Sequence, residues 1–166
     1  KLTTCQTDSQ PLPASNALPK AAIIILNWNG WEDTVECLES LQHLDYSDYQ
    51  VILVDNGSTN DSIEKIKDWC KGNIRVNTRF VEFSLDLKPV KYVELERRDA
   101  EAKGMAEEEI KLQTLPPNKK MIIIRAGENL GFAGGSNLGI RYALKRDYGY
   151  MWLLNNDTVV DRDALG

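Results

Sequence analysis

Two carboxylates in this chain each follow an uncharged, apolar run and stand among asparagines. Val51-Ile52-Leu53-Val54 runs into Asp55-Asn56-Gly57-Ser58, and Tyr150-Met151-Trp152-Leu153-Leu154 runs into Asn155-Asn156-Asp157-Thr158. A third run, Ile23-Ile24-Ile25-Leu26, ends in Asn27-Trp28-Asn29-Gly30. A short apolar run that stops at a polar cluster reads as a buried strand delivering side chains to its carboxyl end. In open α/β sheets ligands bind in the crevice outside those ends. Three such strands imply one shared polar site. Asp55, acceptor-only when ionised, suits an N–H of a pyrimidine base or a ribose hydroxyl. Asp157 is a hard oxygen donor suited to Mg²⁺ or Mn²⁺, a cation that could bridge a diphosphate and neutralise a departing charge. Either acid alone could simply cap a turn; their joint placement favours a ligand site.

A glycine-rich stretch, Gly127-Glu128-Asn129-Leu130-Gly131-Phe132-Ala133-Gly134-Gly135-Ser136-Asn137-Leu138-Gly139, adds a further candidate. It lacks the G-x-G-x-x-G spacing and does not follow the first strand, so a dinucleotide fingerprint is excluded; no Gly-Lys-Ser/Thr triplet exists, which excludes a P-loop. Read as a loop before a helix, it would bring backbone N–H groups close to a phosphate or a sugar hydroxyl. Gly134 and Gly135 would clear the approach, and Asn129 and Asn137 would offer donors and acceptors. The alternative is that the glycines only permit a tight strand-to-helix turn.

These residues must be held by strands and helices in alternation. Strands are expected at 21–26, 50–54, 121–124 and before Asn155. A helix from about 31 to 44 presents Trp31, Val35, Leu38 and Leu41 at helical spacing, with Asn29 as its expected N-cap. A second, capped by Asn60 or Asp61, carries Ile63, Ile66 and Trp69 or Cys70 inward and is stopped by Gly72. A third, with Leu138, Tyr142 and Ala143 or Leu144 inward, runs to about Arg146. Strand–helix alternation with short links predicts parallel strands and right-handed crossovers. Residues 79–120 break the regularity. Strands there are uncertain, near 79–83 and 91–95, and the charged stretch 94–111 reads as a solvated insertion with a short helix. Residues 1–20, with Pro11, Pro13 and Pro19, read as a disordered lead or linker.

Composition narrows the function classes. The 166 residues suit one domain with a real core, and the 42% hydrophobic and 27% charged fractions are those of an ordinary globular protein. A net charge of −5 argues against a general nucleic-acid binder. Cys5, Cys37 and Cys70 are too far apart for a metal knuckle, and their odd number suggests no disulfide framework. A reducing, cytoplasmic setting is expected. His43, the only histidine, lies near the end of the first helix, where a cation complements the dipole. No apolar run approaches the roughly 20 residues of a membrane span, and no secretory signal is visible. Beginning at Lys1 and ending at Gly166, the chain reads as a fragment whose parent could still associate with the cytoplasmic face of a membrane.

The motifs Ile25-Leu26-Asn27-Trp28-Asn29-Gly30, Val54-Asp55-Asn56-Gly57-Ser58, Asn129-Leu-Gly-Phe-Ala-Gly-Gly-Ser-Asn137-Leu-Gly139 and Leu154-Asn155-Asn156-Asp157-Thr158 occur in that order. Together they resemble the nucleotide-sugar-binding half of glycosyltransferase family 2, in its rhamnosyltransferase-like branch, over roughly residues 21–163. The resemblance implies a GT-A fold: a Rossmann-like, mostly parallel α/β sheet with flanking helices, here covering 21–166, incomplete at its C-terminus and interrupted by the 79–120 insertion. It implies a nucleoside diphosphate sugar donor (dTDP-rhamnose-like, UDP- or GDP-linked), a divalent cation, and a glycan or lipid-linked acceptor, as in cell-wall or polysaccharide biosynthesis. By the same resemblance the Asn27–Asn29 loop, with Asn27 and Asn29, and Asp55 would hold base and ribose, and Asn56 would also bind the nucleotide sugar. Asn129, Gly134, Gly135 and Asn137 would line the donor, and Asn155-Asn156-Asp157 would replace the D-x-D motif with Asp157 as metal ligand. Asn155 removes one charge from that motif. The catalytic base of an inverting transfer is expected in the acceptor half, beyond Gly166.

Two other readings stand beside this one. A sugar-phosphate nucleotidyltransferase shares the sheet but expects a basic, glycine-rich loop after the first strand, and Asn27-Trp28-Asn29-Gly30 carries no basic residue. A non-catalytic nucleotide-sugar-binding domain fits the neutral Asn155 and the missing acceptor half.

Overall fold

The computed structural model describes residues 19–76 and 78–165. The expected lead therefore falls, up to residue 18, outside the described residues. Five strands, β1 (Ala21–Asn27), β2 (Tyr49–Asp55), β3 (Lys91–Glu96), β4 (Lys120–Arg125) and β5 (Tyr150–Asn155), form one sheet in the order β3-β4-β2-β1-β5. Every pairing is parallel. β1, β2 and β4 are near-continuous apolar runs because the sheet is covered on both faces. Helices α1 (Trp31–Leu41) and α2 (Ser62–Lys71) cover the face carrying Ile23, Ile25, Val51, Leu53, Met121 and Ile123. Helix α5 (Gly131–Leu144), with the short helices α3 (Arg97–Ala100) and α4 (Glu107–Leu112), covers the face carrying Ile24, Ile52, Val54, Ile122 and Ile124. The parallel α/β architecture with helices on both faces is the one expected, but β5 is not the buried strand read from the run 150–154. At the edge of the sheet it keeps only Leu154 buried and leaves Tyr150 and Leu153 64% and 46% exposed.

α5 lies close on the sheet because it carries no side chain where it crosses β1 and β2. A Cβ on Gly135 would stand 2.4 Å from Leu26 Cδ1, and one on Gly139 would stand 2.5 Å from Ile24 Cγ2. The helix begins at Gly131. Gly134, Gly135 and Asn137 are thus helical rather than part of an open loop, and Gly135 serves helix–sheet packing. The first helix departs from expectation in a similar way. Its N-cap is Gly30, and Asn29 adopts a left-handed conformation (φ 56°) one residue earlier. Asn29 Oδ1 instead accepts from the backbone N–H groups of Thr59 (2.8 Å) and Asn60 (3.3 Å), which ties the β1–α1 turn to the loop after β2. α2 ends as expected, with Gly72 in the left-handed conformation (φ 88°).

The insertion is less solvated than its charge suggests. Residues 91–96 are a true edge strand on β4, whereas residues 79–83 hold only an isolated bridge at Glu82. Glu109 is 2% exposed. It accepts from Tyr142 Oη (2.7 Å) and pairs with Arg146 Nε (2.9 Å), so α4 is fastened to α5 by a buried charge pair. A second buried pair, Glu39–Lys88 at 2.8 Å, fastens the segment before β3 to α1. Glu39 also accepts from Trp69 Nε1 (2.7 Å) and from the Ser84 backbone N–H (3.1 Å). No helix among the described residues is long and apolar enough to cross a membrane.

Candidate functional site

Parallel register sets the polar strand ends side by side. Asn27 pairs with Asp55, Asp55 with Arg125, and Leu26 with Asn155. The carboxyl edge of the sheet therefore carries, in spatial order, Arg125, Asp55, Asn27 and Asn155. Each is placed there by an apolar strand that ends where the core ends.

The asparagines are spent on one another and on the loops. Asn156 donates its Nδ2 to Gly30 O (3.3 Å) and Thr34 Oγ1 (3.1 Å). The Thr34 hydroxyl, which also lies near Gly30 O, donates to Asn27 Oδ1 at 2.9 Å. Asn27 Nδ2 donates to Asp55 Oδ1 (3.2 Å) and Ser58 Oγ (3.1 Å), so both of its N–H donors are used. Asn56 accepts from Leu130 N–H (3.0 Å) and donates to Asn129 Oδ1 (3.1 Å) and Gly131 O (3.2 Å). Gly57 seals the same contact: at φ 73° its missing Cβ would stand 2.5 Å from the Glu128 carbonyl carbon. Four loops, following β1, β2, β4 and β5, are thereby knitted into one rim. The predicted site residues Asn27, Asn29, Asn56, Asn129 and Asn156 meet in it as its framework.

What remains for a ligand lies in and beside a cleft of roughly 330 Å³ between β1, β5 and the start of α5. Its lining includes Leu26, Trp28, Phe132, Ser136, Asn155 and Asp157. Trp28 and Phe132 are large and open, 55% and 64% exposed, and so present aromatic faces at the rim. Asn155 and Asp157 are exposed. Asn137 is exposed on α5 and is not among the cleft's lining residues, and neither are Gly134 and Gly135.

Asp55 is held differently. It is 1% exposed. Its Oδ1 is taken by Asn27, while its Oδ2 is buried without a hydrogen bond. Arg125 Nε stands 3.2 Å from that oxygen, off the hydrogen-bonding direction, so the contact is one of charge. Arg125 NH1 donates to Glu94 Oε1 (3.2 Å), and Lys67 Nζ holds Glu94 Oε2 (2.6 Å). Burial pushes the Glu94 carboxyl up, but the hydrogen bonds and charges of Lys67 and Arg125 outweigh it and leave it below the usual range. Arg125 is absent from the expected site residues. Its signal was nonetheless in the sequence, since it tips the apolar run Met121-Ile122-Ile123-Ile124 just as Asp55 tips its own.

Among the described residues no cluster of three or more His, Cys, Asp or Glu side chains could cage a metal. The donor set at the β5 end is one exposed carboxylate, Asp157, beside the neutral Asn155. That suits a hard cation brought largely by phosphate oxygens and water, since Mg²⁺ commonly takes only one or two protein carboxylates. Cys37, whose Sγ lies 3.8 Å from Asn155 O, takes no part: burial, then the charges of Asp157 and Glu36, push its thiol up to about 12. His43 lies in the turn after α1, exposed, with Nε2 3.3 Å from Glu82 O.

Residues 22–103 match the family model described as Glycosyl transferase family 2. Uncharacterized proteins of Mycobacterium tuberculosis and Mycobacterium bovis are 56% identical to this chain over 36 residues, 22% of this chain and 14% of theirs. The crystal structure of S. aureus TarS superposes with a TM-score of 0.50 over 88% of this chain, at 14% identity. The chain spans 18% of that protein's length. This likeness shows the fold: an α/β, Rossmann-like sheet of the GT-A type.

Proposed function

We propose that this chain is the nucleotide-sugar-binding part of a family 2 glycosyltransferase. The observation that carries the reading is the carboxyl-edge row: Asp55 with a buried oxygen free of hydrogen bonds at one position, and the Asn155–Asp157 turn at the mouth of an aromatic-rimmed cleft at another. Parallel register puts both on one edge of one sheet. In this reading Asp55 accepts from the base, and Trp28 and Phe132 flank the donor. Asp157, with the donor's own phosphates, holds a divalent cation. The cation supplies positive charge against the diphosphate leaving group. The framework asparagines hold the four loops so that these groups keep their spacing.

The donor proposed is a dTDP-rhamnose-like, UDP- or GDP-linked sugar, and the acceptor a glycan or lipid-linked glycan of cell-wall or polysaccharide biosynthesis, at the cytoplasmic membrane face or in the cytoplasm. Transfer proceeds with inversion, using a base from the acceptor-binding half. Titration calorimetry with nucleoside diphosphates in the presence of Mn²⁺ tests the reading. Saturable binding that weakens on Asp157→Ala supports it; no binding by any nucleoside diphosphate sinks it.

One observation favours a second reading, a binding domain without catalysis: a single carboxylate stands at the cation position, with neutral Asn155 beside it. Donor binding without sugar transfer by the whole protein would select it.

A further inference from the structure

Asp55 and Arg125 stand in a relation that pure ion pairing does not explain. A carboxylate oxygen with no solvent contact and no hydrogen bond is costly, and the nearest donor stands 3.2 Å away pointing elsewhere. The same guanidinium has a second, well-formed anchor in Glu94, at 3.2 Å, on the neighbouring edge strand. Glu94 is itself fixed by Lys67 from α2. Arg125 is one-third exposed, while Asp55 beneath it is sealed. Thus the covering group already holds a second anchor and is partly exposed, and the covered oxygen lacks a hydrogen-bond partner.

We propose that Arg125 is a specificity-determining cover over Asp55. With no nucleotide bound, its guanidinium shields Oδ2. On donor entry it swings fully onto Glu94, and an N–H on the edge of a pyrimidine base takes its place on the Asp55 oxygen. Only a ligand that offers a donor at that point recovers the lost charge contact. A base presenting an acceptor there meets a buried carboxylate and is rejected. This rests on the reading of Asp55 as the base-recognising acid.

The cover competes with the ligand and Glu94 draws it away, so the two residues have opposite effects. The test is calorimetric affinity for uridine diphosphate and for inorganic pyrophosphate, both with Mn²⁺. The readout is the ratio of the two affinities in wild type, Arg125→Gln, Glu94→Gln and Asp55→Asn, with thermal melts confirming folded protein. Arg125→Gln should raise the ratio roughly threefold to tenfold, and Glu94→Gln should lower it. Glu94 is a partly exposed surface residue, so its variant carries the test even if Arg125→Gln folds poorly. A ratio that falls in both variants, or is unchanged in both, overturns the cover while leaving the Asp55 reading intact. A wild-type ratio near one, insensitive to Asp55→Asn, overturns both.

Discussion

Asn27 and Asp55 are register partners at the ends of β1 and β2, and a 3.2 Å hydrogen bond from Asn27 Nδ2 to Asp55 Oδ1 joins them. One amide thereby orients the buried carboxylate and, through Ser58 and Thr34, two loops as well. Asn27→Ala leaves Asp55 Oδ1 without its partner, whereas the Thr34 hydroxyl can still donate to Gly30 O, 2.8 Å away. The substitution should cost about 2–3 kcal/mol, as expected for a lost bond to a buried charged group, read as a lower urea midpoint with unchanged slope.

The α4–α5 fastening should be worth more. Glu109→Ala strands the Arg146 guanidinium, 2% exposed at the side chain, along with the Tyr142 hydroxyl. Removing one partner of a buried pair costs about 3–5 kcal/mol. The double variant Glu109→Leu/Arg146→Met should recover a large part of that loss in the same denaturation series. A Glu109→Ala midpoint equal to wild type would show that the insertion is not docked.

Two glycine substitutions separate packing from backbone strain. Gly135→Ala drives a methyl to 2.4 Å from Leu26 Cδ1 and 3.0 Å from Asn56 Oδ1. It should destabilise by about 1–3 kcal/mol, the usual range for overpacking, and should loosen the Asn56–Asn129 contact, visible as faster amide exchange at Leu130. Gly127→Ala meets nothing within 4 Å but sits at φ 81°, so a loss of about 1–2 kcal/mol from left-handed strain alone is expected.

Acid should weaken the edge strand. Burial raises the Glu94 carboxyl, but Lys67 and Arg125 together bring it below its ordinary 4.5. A depressed carboxylate contributes stability that is fully present above its unfolded value and is lost as pH falls through the folded one. Stability should therefore drop below about pH 4.5, and the drop should be smaller in Glu94→Gln when urea midpoints are compared across pH.

Neither buried thiol should react. Burial first, then the charges of Asp157 and Glu36, hold Cys37 up at about 12. Cys70 is likewise raised to about 12 by burial, which outweighs Lys88 and the other cations near it. Since the thiolate is the nucleophile, alkylation at pH 8 followed by peptide mapping should leave both unmodified in folded protein and label both in urea.

The sheet was legible in the sequence because the runs 21–26, 51–54 and 121–124, built of Ile, Val, Leu, Met and Ala, are apolar on both faces, a property only doubly covered strands need. Asp55 was legible for the same reason, as the first charge after such a run; Asp157 is the first charge after the apolar run 150–154, although that run is an exposed edge strand rather than a buried one. The asparagines were harder to read. Asn27, Asn56 and Asn129 look like ligand contacts in one dimension, but an amide satisfies backbone and side-chain groups from several loops at once, and those partners lie far apart along the chain. Asn29 was expected to cap α1 and instead bends left-handed to receive Thr59 and Asn60. Edge strand β3 was legible only as an uncertain strand near 91–95, and buried Glu109 was hidden, because charge in 94–111 signals solvent, whereas Arg146 neutralises Glu109 from another element altogether.

The strand order also sets a timetable. β1 lies between β2, which follows it closely in the chain, and β5, the last strand among the described residues. A nascent chain leaving the ribosome can lay β2 on one side of β1 early, but the other side stays bare until residues 150–155 emerge. During that interval β1 offers newly made neighbours an open row of amides and carbonyls, the kind of edge from which misassembly starts. Pairing of this non-local, parallel sort is intrinsically slow. The strand that carries Asn27 is therefore the one most in need of shelter while the protein is being made.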